Sequence, residues 1–162
     1  MRVADFLTDQ QIEFESIVHP PAYTSQKRAR FLRISGRRVA KGVLLRGPAG
    51  YLLAVLPATH HVDTALLARM LGGPVRLAEP RELAQVFNDC EWGTVPPFGP
   101  LYGLPTLIDE SLEPGAAIVL EANSHAEAVR MNYADFERLT QGRRLRFARG
   151  PRGRGEPCAA EG

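Results

Sequence analysis

The feature that most constrains this chain is a pair of apolar runs, residues 39–46 and 51–56, joined by Gly47-Pro48-Ala49-Gly50. Aliphatic and β-branched runs of this length, bounded by turn residues, read as buried or half-buried strands, and the spacer folds them into a hairpin. Lys41 interrupts the first run. An unpaired buried ammonium costs several kcal/mol, so this lysine snorkels to an edge, pairs with an anion, or stands at the floor of a polar cleft.

Helical and strand signals surround the hairpin. Val3, Phe6, Leu7 and Ile12 recur at amphipathic spacing and predict a helix over 3–13, and residues 14–18 alternate as a short strand stopped by His19-Pro20-Pro21. Thr24 or Ser25 can cap a helix ending near Ser35-Gly36, and Asp63 can cap another that runs to Gly72-Gly73-Pro74. A brief strand over 75–77 and a short helix over 79–87 follow. Residues 92–100 are too rich in Gly and Pro for regular structure, yet carry Trp92 and Phe98, and read as an ordered loop. Strands are expected over 104–108, 117–121 and 128–131, and a closing helix over 133–139 with Asn132 as its cap.

With 162 residues, 44% hydrophobic and 23% charged, the chain is expected to form one domain that buries about two thirds of its unfolded surface. The expected division is a folded domain over 1–148 and a disordered Arg/Gly/Pro-rich tail over 149–162. No segment approaches eighteen uninterrupted apolar residues and the start lacks a signal-peptide core, so a cytoplasmic protein with no membrane partner is expected. Cys90 and Cys158 offer neither a disulfide framework nor a metal pair, and Cys90 reads as a small buried hydrophobe. His60-His61, Asp63 and His19 match no common zinc spacing, so no metal and no cofactor is expected. The net charge is only +2, but basic residues gather in two groups: Lys27, Arg28, Arg30, Arg33, Arg37, Arg38 and Lys41, and then Arg143, Arg144, Arg146, Arg149, Arg152 and Arg154. Such faces either track phosphates or are simply solvated.

Taken in order, His19-Pro20-x-x-Tyr23-Thr24, Val39-Ala40-Lys41, the Leu-Pro segment ending at Asp63, Gly93-Thr94-Val95-Pro96-Pro97, the run from Leu104 to Asp109, and Ala122-Asn123-Ser124-His125 resemble the YbaK / prolyl-tRNA synthetase-associated editing-domain family. The resemblance spans about residues 15 to 140. It implies a mixed α/β (α+β) fold, a single domain with a central, mostly antiparallel curved sheet surrounded by helices. It also implies a trans-editing deacylase that hydrolyses the ester of tRNA mischarged with a small amino acid (Ala, Ser, Thr or Cys), tRNA(Pro) being the expected acceptor and an aminoacyl-tRNA synthetase a further partner. Lys41, Gly93 and Pro97 would then carry the chemistry, and His19, Thr24, Thr94, Val95, Pro96, Phe98 and His125 would surround the substrate. The chain departs from the pattern at Gly42, where many relatives carry Thr or Ser, and at Pro96, which stiffens the loop.

Hydrolysis of an aminoacyl ester needs a positioned water and stabilisation of a developing oxyanion, not a strong nucleophile, which suits a chain with no Ser/His/Asp triad in recognisable context. Lys41 would hold the terminal phosphate or polarise the carbonyl. The 93–97 loop would bring backbone N–H groups to the aminoacyl end, with Pro96, Pro97 and Phe98 as a stiff wall that excludes bulky side chains. Trp92, Phe98 and Tyr102 either stack the terminal adenine or pack in the core. The rival reading is a catalytically silent tRNA- or synthetase-binding module on the same fold.

Overall fold

The computed structural model describes residues 1–151. Helix α1 (Val3–Asp9) precedes strand β1 (Phe14–Val18) and helix α2 (Ser25–Phe31). The hairpin forms as expected from β2 (Val39–Gly47) and β3 (Gly50–Pro57), paired antiparallel through Gly47 and Gly50. Strand β4 (His61–Val62) leads into helix α3 (Thr64–Leu71), where Asp63 Oδ1 accepts the Leu66 N–H, and Gly72 ends the helix in the left-handed conformation. Strand β5 (Arg76–Leu77) and helix α4 (Pro80–Val86) follow, and the Gly/Pro-rich loop ends in a 3₁₀ turn at Gly99–Tyr102. Strands β6 (Thr106–Asp109), β7 (Ala117–Glu121) and β8 (Glu127–Asn132) then precede helix α5 (Tyr133–Thr140) and strands β9 (Arg143–Leu145) and β10 (Ala148–Arg149). Asn132 occupies the cap position of α5, but its side chain makes no capping bond.

One mixed eight-stranded sheet runs β1-β8-β7-β2-β3-β6-β9, with β5 added on β2, and β10 and β4 form a separate antiparallel pair. The pairings of β2 with β7, β3 with β6 and β6 with β9 are parallel and the other four pairings of this sheet are antiparallel, so the mostly antiparallel sheet that the resemblance implies is a mixed one. Arg149, read as the first residue of a disordered tail, lies in β10 and donates to Asp63 Oδ2 at 3.0 Å. Residues 152–162, the rest of that expected tail, lie outside the described residues.

Strand alternation divides the core. Ala40, Leu44, Leu53 and Val55 face Val3 and Leu7 of α1, Phe136 of α5 and the loop residue Phe98, whereas Leu45, Leu52, Ala54 and Leu56 face Leu67 of α3 and Phe147. A third, smaller cluster seats Ala29 of α2 against Val39, Val119 and Ala128. Among the described residues, no helix is long and apolar enough to cross a membrane.

Candidate active site

The outer edge of β2 is shared by two strands. Parallel β7 pairs with it at Val39 and Ala40, and antiparallel β5 pairs with it at Leu45 and Arg46. Between those pairings no strand of the described residues covers residues 41–43, and there a cleft of about 390 Å³ opens. Lys41, Gly42 and Val43 form its floor, Tyr23, Thr24, Ser25 and Gln26 from the start of α2 form one side, and Ala58, His61, Gly93, Val95 and Glu121 complete it. The parallel register ends at Ala40 and Leu120, so Lys41 and Glu121 are the next residues on adjacent strands.

The 93–97 loop is held against this floor from behind. Val95 N–H donates to Glu121 Oε1 at 3.0 Å, while Arg28 Nη1 donates to Glu121 Oε2 at 3.0 Å. Arg28 is fully buried; its Nε donates to His19 Nε2 at 3.2 Å, and His19 Nδ1 bonds the Pro20 carbonyl at 2.7 Å. Those contacts assign His19 its proton on Nδ1. Burial pushes the Glu121 carboxyl above its usual range, against the opposing pull of the Arg28 guanidinium and the Val95 N–H. The Glu91 N–H donates to the Asn123 carbonyl, and the His125 N–H donates to Glu91 Oε2 at 3.1 Å. His125 Nε2 donates to the Trp92 carbonyl at 2.8 Å. Gly93 has φ +83°, a left-handed backbone that glycine adopts without strain.

Gly42 explains how closely the loop sits. A Cβ at that position would lie 3.2 Å from both Pro97 Cβ and Val95 Cγ1, and 3.3 Å from the Val95 carbonyl oxygen. The absence of a side chain at this position therefore lets the proline-rich loop lie on the strand.

Of the residues singled out in the sequence, Thr24, Lys41, Gly93 and Val95 meet at the cleft. Thr24 also caps α2 by accepting the Lys27 N–H. Pro97 packs on Gly42 beneath the cleft. His19, Thr94, Pro96, Phe98 and His125 are buried and do not line it. Phe98 meets Phe136 edge-on at 5.6 Å in the core, so it offers no face to a base, and Val95 is the side chain the loop presents. Tyr102 is tied by its hydroxyl to Asp89 at 2.9 Å, whereas Trp92 is exposed. Cys90 is half-buried, its Sγ bonded to Asp89 and Tyr102, and burial pushes its thiol up to about 11. Among the described residues, no His, Cys, Asp and Glu side chains are grouped to hold a metal ion.

Two contributors escaped the sequence reading. Arg28 was counted with the exposed basic group, yet it is a buried support, and its partner Glu121 lies at the far end of β7. A carboxylate closing an apolar strand was the only signal in the sequence.

A family model for the aminoacyl-tRNA editing domain matches residues 19–139. Among solved structures, a candidate trans-editing enzyme for prolyl-tRNA synthetase aligns with a TM-score of 0.74 at 22% identity, over 85% of this chain and 87% of that one. A protein described only as hypothetical gives a TM-score of 0.81 at 17% identity, covering 91% of this chain and 99% of its own. A candidate signal transduction protein of Marinobacter aquaeolei VT8 gives 0.71 at 23% identity, over 90% of this chain but 30% of its own. At such identities these structural likenesses show the fold alone. No curated protein matches the chain.

Proposed function

The chain belongs to the aminoacyl-tRNA editing domain family, and from that membership we propose that it is a trans-acting deacylase that hydrolyses the ester of tRNA carrying a wrong, small amino acid: Ala, Ser, Thr or Cys, with tRNA(Pro) as acceptor. The observation that carries this reading is the meeting of Lys41 with the 93–95 loop in one cleft.

Attack of water on the ester carbonyl places negative charge on its oxygen. The Lys41 ammonium, a compact cation with three donors, stabilises that charge. Of the amides from Gly93 to Val95, that of Thr94 bonds Glu91 and that of Val95 bonds Glu121, leaving the Gly93 N–H, without a partner among the described residues, as the second donor. Glu121 is engaged through both oxygens, so it supports the loop and does not act as the base. The vicinal ribose hydroxyl of the substrate orients the water in this reading.

Size selection follows from the same cleft. Its volume of about 390 Å³ must hold the terminal ribose as well as the aminoacyl group, and Val43, Val95 and Ala58 leave room for a short side chain. Such a second sieve has a physical purpose, because one methylene changes binding in a synthetase pocket by only about 1–3 kcal/mol.

The test is deacylation of tRNA charged with Ala, Ser, Thr, Cys or Pro, run beside Lys41→Ala. The wild-type protein should hydrolyse a small aminoacyl ester, and the variant should lose about 10²–10³-fold in kcat, as removal of an oxyanion donor does. Full activity in Lys41→Ala, or faster cleavage of a bulky ester, would sink the assignment. Binding of tRNA with no hydrolysis by wild type would support the silent-module reading instead.

A further inference from the structure

The two basic groups of the sequence have different fates in the fold. In the C-terminal group, Arg144 donates to the carbonyls of Leu112 and Glu110 and to the Tyr133 hydroxyl, and Arg149 pairs with Asp63. Those two guanidiniums are spent on holding β9 and β10 in place, while Arg143 and Arg146 of the same group are exposed and form no ion pair among the described residues. In the first group Arg28 is buried, but Lys27, Arg30, Arg33, Arg37 and Arg38 are exposed and form no ion pair among the described residues.

Their placement is ordered. Lys27 and Arg30, three residues apart in α2, share one side of it, and Arg33 follows two residues beyond its end. Arg33 stands in a left-handed conformation at φ +56°, which turns the chain back toward β2. Arg33, Arg37 and Arg38 then line a second cleft of about 390 Å³ beside the start of β7, and Glu113, which also lines it, pairs with none of them. The first residues of α2 border the candidate active site, and the residues after its end border this basic cleft. Arg38 immediately precedes β2 and Lys41 is the third residue of that strand, so the chain between them spans at most about 10 Å. Lys27, Arg30, Arg33, Arg37 and Arg38, without an ion pair among the described residues, therefore form a cationic stripe between the candidate active site and a basic groove.

We propose that this stripe, ending at Arg33, Arg37 and Arg38, binds the sugar-phosphate backbone of the tRNA whose 3′ end enters the cleft at Lys41. The inference rests on the deacylase reading for the direction of the strand, but not for the binding itself. Recognition is by charge, so it is independent of base sequence and weakened by salt.

The experiment measures binding of uncharged tRNA to the full chain across a salt series, for wild type, the triple variant Arg33→Gln/Arg37→Gln/Arg38→Gln, and the matching triple lysine variant. Each lost phosphate contact removes about 0.7 (single strand) to 0.9 (duplex) from the log–log salt slope, so the glutamine variant should flatten it by about 2–3 and weaken affinity by about tenfold or more at low salt. The lysine variant should restore the slope, which a folding defect would not allow. Hydrolysis of a phosphate-free aminoacyl-adenosine ester should be equal in all three proteins, while KM for charged tRNA rises only in the glutamine variant. Failure of wild type to bind tRNA, an unchanged slope in the glutamine variant, or equal loss on the phosphate-free ester would overturn the inference. Absence of hydrolysis from wild type with the slope difference intact would remove the deacylase reading and leave this one standing.

Discussion

At the scale of single residues, Gly42 couples strand to loop. Its missing side chain lets Pro97 and Val95 rest on β2, and the contact leaves no room for a branched substituent. Gly42→Thr should displace the loop and destabilise the protein by about 1–3 kcal/mol, as overpacking does, with kcat/KM reduced in the same variant. Urea unfolding midpoints beside deacylation rates would check this; wild-type stability together with wild-type rate would show that the loop does not need the glycine. The lysine two strand positions from the buried Val39 was legible as anomalous from its neighbours alone. The reason for the glycine beside it was not, because its contacts come from a loop some fifty residues further on in the sequence.

At the scale of elements, α2 and β7 are joined by the buried ion pair of Arg28 with Glu121, and the 93–97 loop hangs from the same carboxylate. Removing one partner strands a charge in the interior. Arg28→Ala is therefore expected to cost about 3–5 kcal/mol, and Arg28→Met combined with Glu121→Leu should recover much of that stability while losing activity, since the loop amide of Val95 loses its acceptor. A chemical-denaturation double-mutant cycle measures both, and a single-variant loss below about 1 kcal/mol would contradict the role given to the pair. Caps and periodicity made the five helices legible, with Thr24 and Asp63 acting as the sequence indicates. Strands β4, β9 and β10 carry two or three residues each, too few for an alternation to register, and the parallel partners of β2, β3 and β6 are set by tertiary contact and not by local pattern. The same limit hid Arg28, whose local sequence is that of a solvated helix.

At the scale of the whole molecule, acid should act through three carboxylates that tie distant segments together. The Leu66 N–H, opposed by burial and aided by Arg149, holds Asp63 below its usual range. Burial works against Asp109, yet bonds from Ser111, Phe147 and Ala148 bring it below the ordinary value. Arg76, then Tyr51 and the Glu79 N–H, hold Glu82 far below. A carboxyl more acidic folded than unfolded binds fewer protons in the native state. Its stabilisation is present above the unfolded value of about 4 and lost as pH falls through the folded one. Thermal midpoints should thus hold from pH 7 to about 5 and drop on approach to pH 3; a midpoint unchanged at pH 3 would show that these bonds add nothing.

The sheet's pairing order also bears on how the chain is made. Strand β1 finds its partner only in β8, with Phe14 opposite Met131, and β6 acquires its outer neighbour only when β9 has been synthesised. A chain emerging from the ribosome can close the β2–β3 hairpin early, but β1 stays unpaired until β8 is complete at Asn132, and the outer margin of β6 stays open until β9 is complete at Leu145. Non-local pairing of this kind folds in milliseconds to seconds, and it leaves unpaired strand margins exposed during that interval. Nascent chains halted before β8 should therefore be the aggregation-prone species, held in solution by chaperones until the last strands arrive.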